Sequence, residues 1–291
     1  MKQVLKLPVR IVLMLAGFIF MMNLPFLTFG TKIFNFNFEP FWKYAVTDAK
    51  LLLKLWDSTN FEQLNQFPLA DSYRYSMSLL IICLLVVVFV GLILAFLVMI
   101  APRKIRNIIK KGINLIEGIP DLFVIFLFMF FVITLYQNTG LKFLQLYGVF
   151  GNRPYFVPTI TISFLPTLLF TQFLIKVLEE EESKIYVLFG KAKGVGRMKL
   201  LFIHLVPNIL PLMIFQLRTS IWIILSNIYL IEFIFNIPGF TKTFGFFLFM
   251  GGGNIAALSL CLLLFTLPLL MIEALGFFVS KRLSGKEKFT I

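Results

Sequence analysis

Six apolar stretches dominate the 291-residue chain, at roughly 11–29, 76–101, 119–137, 155–176, 209–231 and 255–279. Each is close to the ~20 residues a helix needs to cross a bilayer. In hydrocarbon the backbone must satisfy its own hydrogen bonds, and runs of this length do so as helices. The pattern therefore predicts an all-α, polytopic membrane protein with six transmembrane helices. Hydrophobic residues make up 59% of the chain. A soluble domain of this length could not cover that much apolar surface.

The first stretch begins like a signal peptide, with Lys2, Lys6 and Arg10 ahead of its apolar core. Leu24-Pro25-Phe26-Leu27 prolongs the run, and no small-x-small cleavage site follows. It is read as an uncleaved first span.

The formal charge of +13 would suggest nucleic acid in a soluble chain. Here the basic residues border the apolar runs, so topology and the lipid bilayer account for them and no nucleic-acid partner is expected. Lys and Arg concentrate in alternate connections: Lys2 to Arg10, Arg103 to Lys111, Lys176 to Lys199, and Lys281 to Lys288. The intervening segments are poorer in them. By the positive-inside rule both termini are expected to be cytoplasmic.

Three regions follow from this reading. Residues 1–74 hold the first span and an extracellular segment. Residues 75–280 form a core of five spans, including a cytoplasmic loop at 177–208. Residues 281–291 form a cytoplasmic tail. The segment from Gly30 to Arg74 is aromatic-rich and mixes both charges. It is expected to fold as short helices against the outer face, since a flexible tether would be poorer in Phe and Trp. No internal repeat is evident.

The parts for catalysis are missing from the sequence. Cys83 and Cys261 fall in apolar runs and read as small buried hydrophobes. His204 is the only histidine, so a Ser-His-Asp arrangement or a His-based metal site has one candidate at most, and His204 is read as packing at the membrane–water boundary. No Gly-rich phosphate loop is present. Asp121 is the only aspartate near a span, whereas an intramembrane aspartic protease needs two. The chain is expected to be a non-enzyme that binds no cofactor or metal itself.

The loop at 177–208 carries the most information. Glu179 to Glu182 open it and are expected beside a helix N-terminus. Ile185, Leu188 and Phe189 then follow at helical spacing. Gly194 and Gly196 supply a turn. Met198, Leu201, Phe202 and Leu205 mark a second helical face, and Pro207 and Pro211 the return to the membrane. The expectation is helix, glycine turn, helix along the cytoplasmic surface. From spacing alone a generic interfacial hairpin fits equally.

This loop resembles the cytoplasmic loop of ABC-transporter permease subunits, whose pattern runs Glu-Ala-Ala, three residues, Gly. The nearest form is that of the dipeptide/oligopeptide/nickel importers, with Tyr-Val-x-x-Ala-Arg-Ala-Lys-Gly ahead of His-x-x-x-Asn. Here the matching residues are Tyr186-Val187, Lys191-Ala192-Lys193-Gly194, His204 and Asn208. Gly118-Ile119-Pro120-Asp121-Leu122-Phe123 resembles the opening of the family's third span, and Tyr155 to Leu165 that of the fourth. Ile231-Glu232-Phe233-Ile234-Phe235-Asn236-Ile237-Pro238-Gly239 is similar to its Glu-x-x-Phe-x-x-Pro-Gly motif. Leu188, Phe189 and Gly190 stand where the family has Glu-Ala-Ala, and Thr241 replaces a glycine.

The resemblance implies a type I importer permease fold in a prokaryotic inner membrane. It implies a second permease subunit, two cytoplasmic ATPase subunits that hold ATP and Mg, and an extracellular substrate-binding protein. The residues it assigns to ATPase coupling are Tyr186, Leu188, Phe189, Gly190, Ala192, Lys193 and Gly194. Oligopeptides or dipeptides are the solutes it implies.

Two charges, Arg218 outside these motifs and Glu232 inside one, carry readings of their own. Arg218 lies nine residues past Ile209, about 14 Å along a helix and near mid-membrane. A charge there defaults to a functional reading: it lines the path and meets a solute carboxylate, or it pairs with a partner subunit, or the span starts later. Glu232 is expected, with Pro238 and Gly239, in a re-entrant turn at the gate, near Gly251-Gly252-Gly253. Two other functions stay open: a secondary transporter or channel, which would need coupling acids in mid-span, and a non-transport scaffold using the same loop.

Overall fold

The structure, a computed structural model, describes residues 6–27, 36–52, 68–140, 153–249 and 255–287. Among them every regular element is helical: α1 (Lys6–Asn23), α2 (Phe38–Leu52), α3 (Leu69–Ile100), α4 (Arg103–Glu117), α5 (Asp121–Thr139), α6 (Phe156–Glu182), α7 (Ile185–Ala192), α8 (Arg197–Ile234), α9 (Phe240–Phe249) and α10 (Ile255–Glu287). Six stretches are long and apolar enough to cross a membrane: Pro8–Leu27, Leu69–Ile100, Asp121–Thr139, Phe156–Glu182, Arg197–Ile234 and Ile255–Gly276. The chain is a multi-pass all-α membrane protein. Its six expected spans coincide with these helices.

The chain divides into two units, residues 1–72 with 240–270 and residues 73–239 with 271–291. In the first, α1 packs on α2. Asn23 donates to its own Ile19 carbonyl at 2.9 Å and to Asp48 on α2 at 2.7 Å. Phe20 meets Phe41 edge-on at 5.5 Å, and Phe26 stacks on Tyr44 at 4.3 Å. Part of the expected outer segment is thus one helix, Phe38–Leu52. Residues 53–67 and Gly251-Gly252-Gly253 lie outside the described residues.

In the second unit α6 is the central helix, packed chiefly on α8 and also on α4 and α5. Its buried face carries Thr161, Ser163, Thr167 and Thr171. Thr161, Thr167 and Thr171 return their hydroxyls to the carbonyl four residues earlier at 2.9, 2.6 and 2.7 Å. Small, internally satisfied side chains let helices approach closely where lipid supplies no hydrophobic drive between them. Gly91 on α3 does the same: a Cβ there would sit 2.7 Å from Phe170 of α6.

Two expectations about the loop are corrected. Glu179 to Glu182 do not open a helix but close α6, where the helix dipole disfavours acids. Cations offset this. Lys110 and Arg106 reach Glu179 at 2.6 and 3.6 Å, Lys184 reaches Glu181 at 2.6 Å, and Lys191 reaches Glu182 at 2.8 Å. Nor is the second helix of the loop a separate short one, because helix continues from Arg197 through Pro207 and Pro211 to Ile234. A π-helical turn over Leu200–Leu205 widens the backbone just before Pro207. That opens room where the proline ring would otherwise press on the carbonyl of Ile203.

Candidate functional site

Helix α7 and its turn are built by local backbone chemistry. Gly194 has φ +77°, a left-handed value that glycine adopts without cost. Its N–H donates to the Lys191 carbonyl at 3.0 Å, and the Val195 N–H donates to the Gly190 carbonyl at 3.0 Å. These two bonds are the Schellman pattern that closes a helix end. A Cβ on Gly194 would meet nothing within 4 Å, so conformation and not space selects glycine. At Gly190 space matters: a Cβ there would lie 3.1 Å from Leu200 of the π turn.

The faces of α7 separate cleanly. Val187 is buried, over a small hollow also lined by Met99, Leu200, Leu201 and Leu205. Ile185, Leu188 and Phe189 point away and are 72%, 55% and 65% exposed. Ala192, Lys193 and Gly194 are exposed as well.

Polar contacts lock the helix in place. Tyr186 donates its hydroxyl to Glu181 at 2.7 Å and accepts from Asn208 at 3.0 Å, while Asn208 also reaches Glu181 at 3.3 Å. Partial burial and the neighbouring Glu181 carboxylate push the Tyr186 phenol up to about 12. Below the loop, the carbonyl of Met99 at the end of α3 accepts from Arg106 at 2.7 Å and from Arg197 at 2.6 Å. Those guanidinium groups fill the role of a C-cap. The sequence-predicted coupling residues therefore lie together on α7 and its turn, with Glu181, Glu182, Arg106 and Arg197 bonded around them.

A second constellation closes α8. Glu232 is fully buried and accepts a hydrogen bond from Ser76 of α3. The chain then turns through Asn236, whose φ is 52°, with the Ile237 N–H on the Glu232 carbonyl at 3.0 Å and the Gly239 N–H on the Ile237 carbonyl at 2.8 Å. Beside Ser76, Tyr75 donates to the Pro154 carbonyl at 2.6 Å and packs edge-on against Tyr155 at 4.9 Å. Glu232, Pro238 and Gly239 thus share one turn. Arg218 is not part of it. It lies 3.9 Å from Glu273 on α10, with 49% of its side chain exposed.

A family model described as "Binding-protein-dependent transport system inner membrane component" matches residues 87–285. The chain belongs to that family. It is a permease component of an ABC importer that works with a partner ATPase and a substrate-binding protein. The matched region contains α4 to α8, the loop corner, the Glu232 turn and the Arg218–Glu273 pair. No curated protein matches the chain.

Sequence reasoning missed Ser76, Arg106, Arg197 and Glu273 in this permease. For Glu273 a signal existed: it is the lone acid inside the sixth apolar run, just as Arg218 is the lone base inside the fifth. Ser76 left none, because its partner is 156 residues away.

Proposed function

We propose that the chain is the transmembrane permease subunit of an ATP-driven, binding-protein-dependent importer of oligopeptides or dipeptides, with residues 177–208 as the loop its ATPase grips. ATP and Mg would be held by two cytoplasmic ATPase subunits, the pore would be completed by a second permease, and solute would be delivered by an extracellular binding protein. Both termini would face the cytoplasm of a prokaryote.

One observation carries the coupling role. Ile185, Leu188 and Phe189 form an exposed apolar edge on a helix whose other side is held by Val187, Tyr186 and Lys191. A rigid lever needs both features, an apolar face for a partner to bury and a stiff mount to transmit its motion. The departure from the Glu-Ala-Ala pattern leaves α7 without an acid of its own, and Glu181 and Glu182 at the end of α6 instead fasten it from inside. The peptide class rests on the likeness of Tyr186 to Asn208 and of Glu232 to Gly239 to the peptide-importer motifs.

The test is site-directed crosslinking in native membranes. Phe189→Cys should crosslink to the ATPase subunit, and Lys193→Cys should label from the cytoplasmic side. Crosslinks confined to non-ATPase proteins, or labelling of Lys193→Cys from outside, would overturn the assignment. Mass spectrometry of solute bound to the purified complex tests the peptide class.

A further inference from the structure

We propose that α4 is a membrane-surface anchor that takes the headgroups of anionic phospholipid. Its position at the boundary follows from its connections. Two residues separate it from the end of α3 and three from the start of α5, both of which are spans. It cannot itself cross, because 15 residues reach only about 22 Å. It therefore lies where spans meet water.

Its sequence sorts onto two faces. On one side Arg106 and Lys110 pair with Glu179, Ile113 is buried, and Asn114 accepts from Gln172 at 2.7 Å. That side is fixed to α6. On the other, Ile105, Ile108 and Leu115 are 49%, 69% and 75% exposed. Lys104 and Lys111, seven residues apart, form an exposed row along the edge of this stripe. An apolar stripe flanked by lysines suits the interface between acyl chains and headgroups, with the ammonium groups rising to anionic phosphates. Because Glu179 and Glu182 also hold α4 and Lys191, lipid gripping α4 would brace the corner that carries α7.

The experiment uses the full chain in vesicles, with Cys83 and Cys261 replaced by alanine. Single cysteines at Ile108, Leu115 and, as polar control, Asn107 carry a polarity-sensitive fluorophore. Acyl-chain nitroxide lipids should quench positions 108 and 115 several-fold more than 107. In phosphatidylcholine mixed with phosphatidylglycerol, Lys104→Gln and Lys111→Gln should each lower bound phosphatidylglycerol about fivefold, from roughly 1 kcal/mol per basic residue near a charged surface. Lys→Arg variants should retain it, which separates lost charge from lost folding. Equal quenching at 107, 108 and 115 would overturn the proposal. So would loss of lipid quenching when the ATPase subunits are added, or phosphatidylglycerol binding unchanged by the glutamine variants.

Discussion

Gly239 lies directly against the carboxyl group of Glu232, in space that a Cβ would occupy. The acid is fully buried, and its partner Ser76 reaches it from a helix distant in sequence. A buried acid is tolerable only when hydrogen-bonded. Gly239 is thus the empty wall that admits this carboxyl, while Ser76 satisfies it.

Gly239→Ala should therefore lower stability by about 1–3 kcal/mol, the usual range for overpacking. In a Glu232→Ala background the same substitution should cost at least ~0.5 kcal/mol less, because contacting residues couple by that much or more. Thermal unfolding of the four proteins in detergent measures this. Equal costs in both backgrounds would show that the carboxyl is not what excludes a side chain at 239.

At Gly194 the constraint is conformational, so substitutions sort by tolerance of positive φ. Gly194→Val should cost about 1–2 kcal/mol and fray α7, whereas Gly194→Asn, which adopts left-handed backbone more readily, should cost less. Gly194→Asp keeps that local tolerance but adds a charge beside the exposed edge. Under the coupling reading it abolishes ATP-driven uptake while the subunit still reaches the membrane, and Gly194→Asn retains most uptake. Equal uptake by the two variants would mean that strain alone matters there.

What the sequence disclosed and what it hid divide by the range of the interactions. The spans were legible because bilayer thickness fixes the length of an apolar run. The end of α7 was legible because Gly194 meets a local backbone demand. The far end of α6 was not: Glu179 to Glu182 looked like an N-terminal cluster, since the cations that let them end a helix come from α4 and α7. The continuation of α8 past Pro207 was hidden for a related reason. Pro207 and Pro211 read as the boundary between a surface helix and the span, and the wide turn that joins the two has no simple residue code.

Tyr186 offers a pH test of the loop frame. Its phenol is raised from an ordinary value near 10 to about 12. The protonated form is the one favoured by the fold, so its contribution is fully present below pH 10 and is lost as pH rises through about 12. Tyr186→Phe should remove the bonds to Glu181 and Asn208 and destabilise by about 1 kcal/mol at neutral pH. The tyrosinate absorbance of the wild type minus that of Tyr186→Phe should show no titration at pH 10. A group ionising there would mean that the Glu181 contact is absent in solution.

Arg218 and Glu273 face each other from two membrane-spanning helices, both partly exposed. Charges at that depth are costly against hydrocarbon, so each stabilises the other, and their uncovered sides belong against protein or water. Removing either one takes the ion-pair contact from the other. Arg218→Ala and Glu273→Ala should each slow uptake about fivefold or more, matching a coupling of roughly 1 kcal/mol for a half-exposed pair. The exchanged pair Arg218→Glu with Glu273→Arg should restore most of the rate, because it preserves neutrality and contact. Uptake of radiolabelled solute into whole cells, normalised to subunit abundance, gives the comparison. If the exchanged protein is no faster than the worse single variant, pairing is not the function of these charges. Arg218 would then act on the solute directly, and uptake should depend on the solute's own carboxylate.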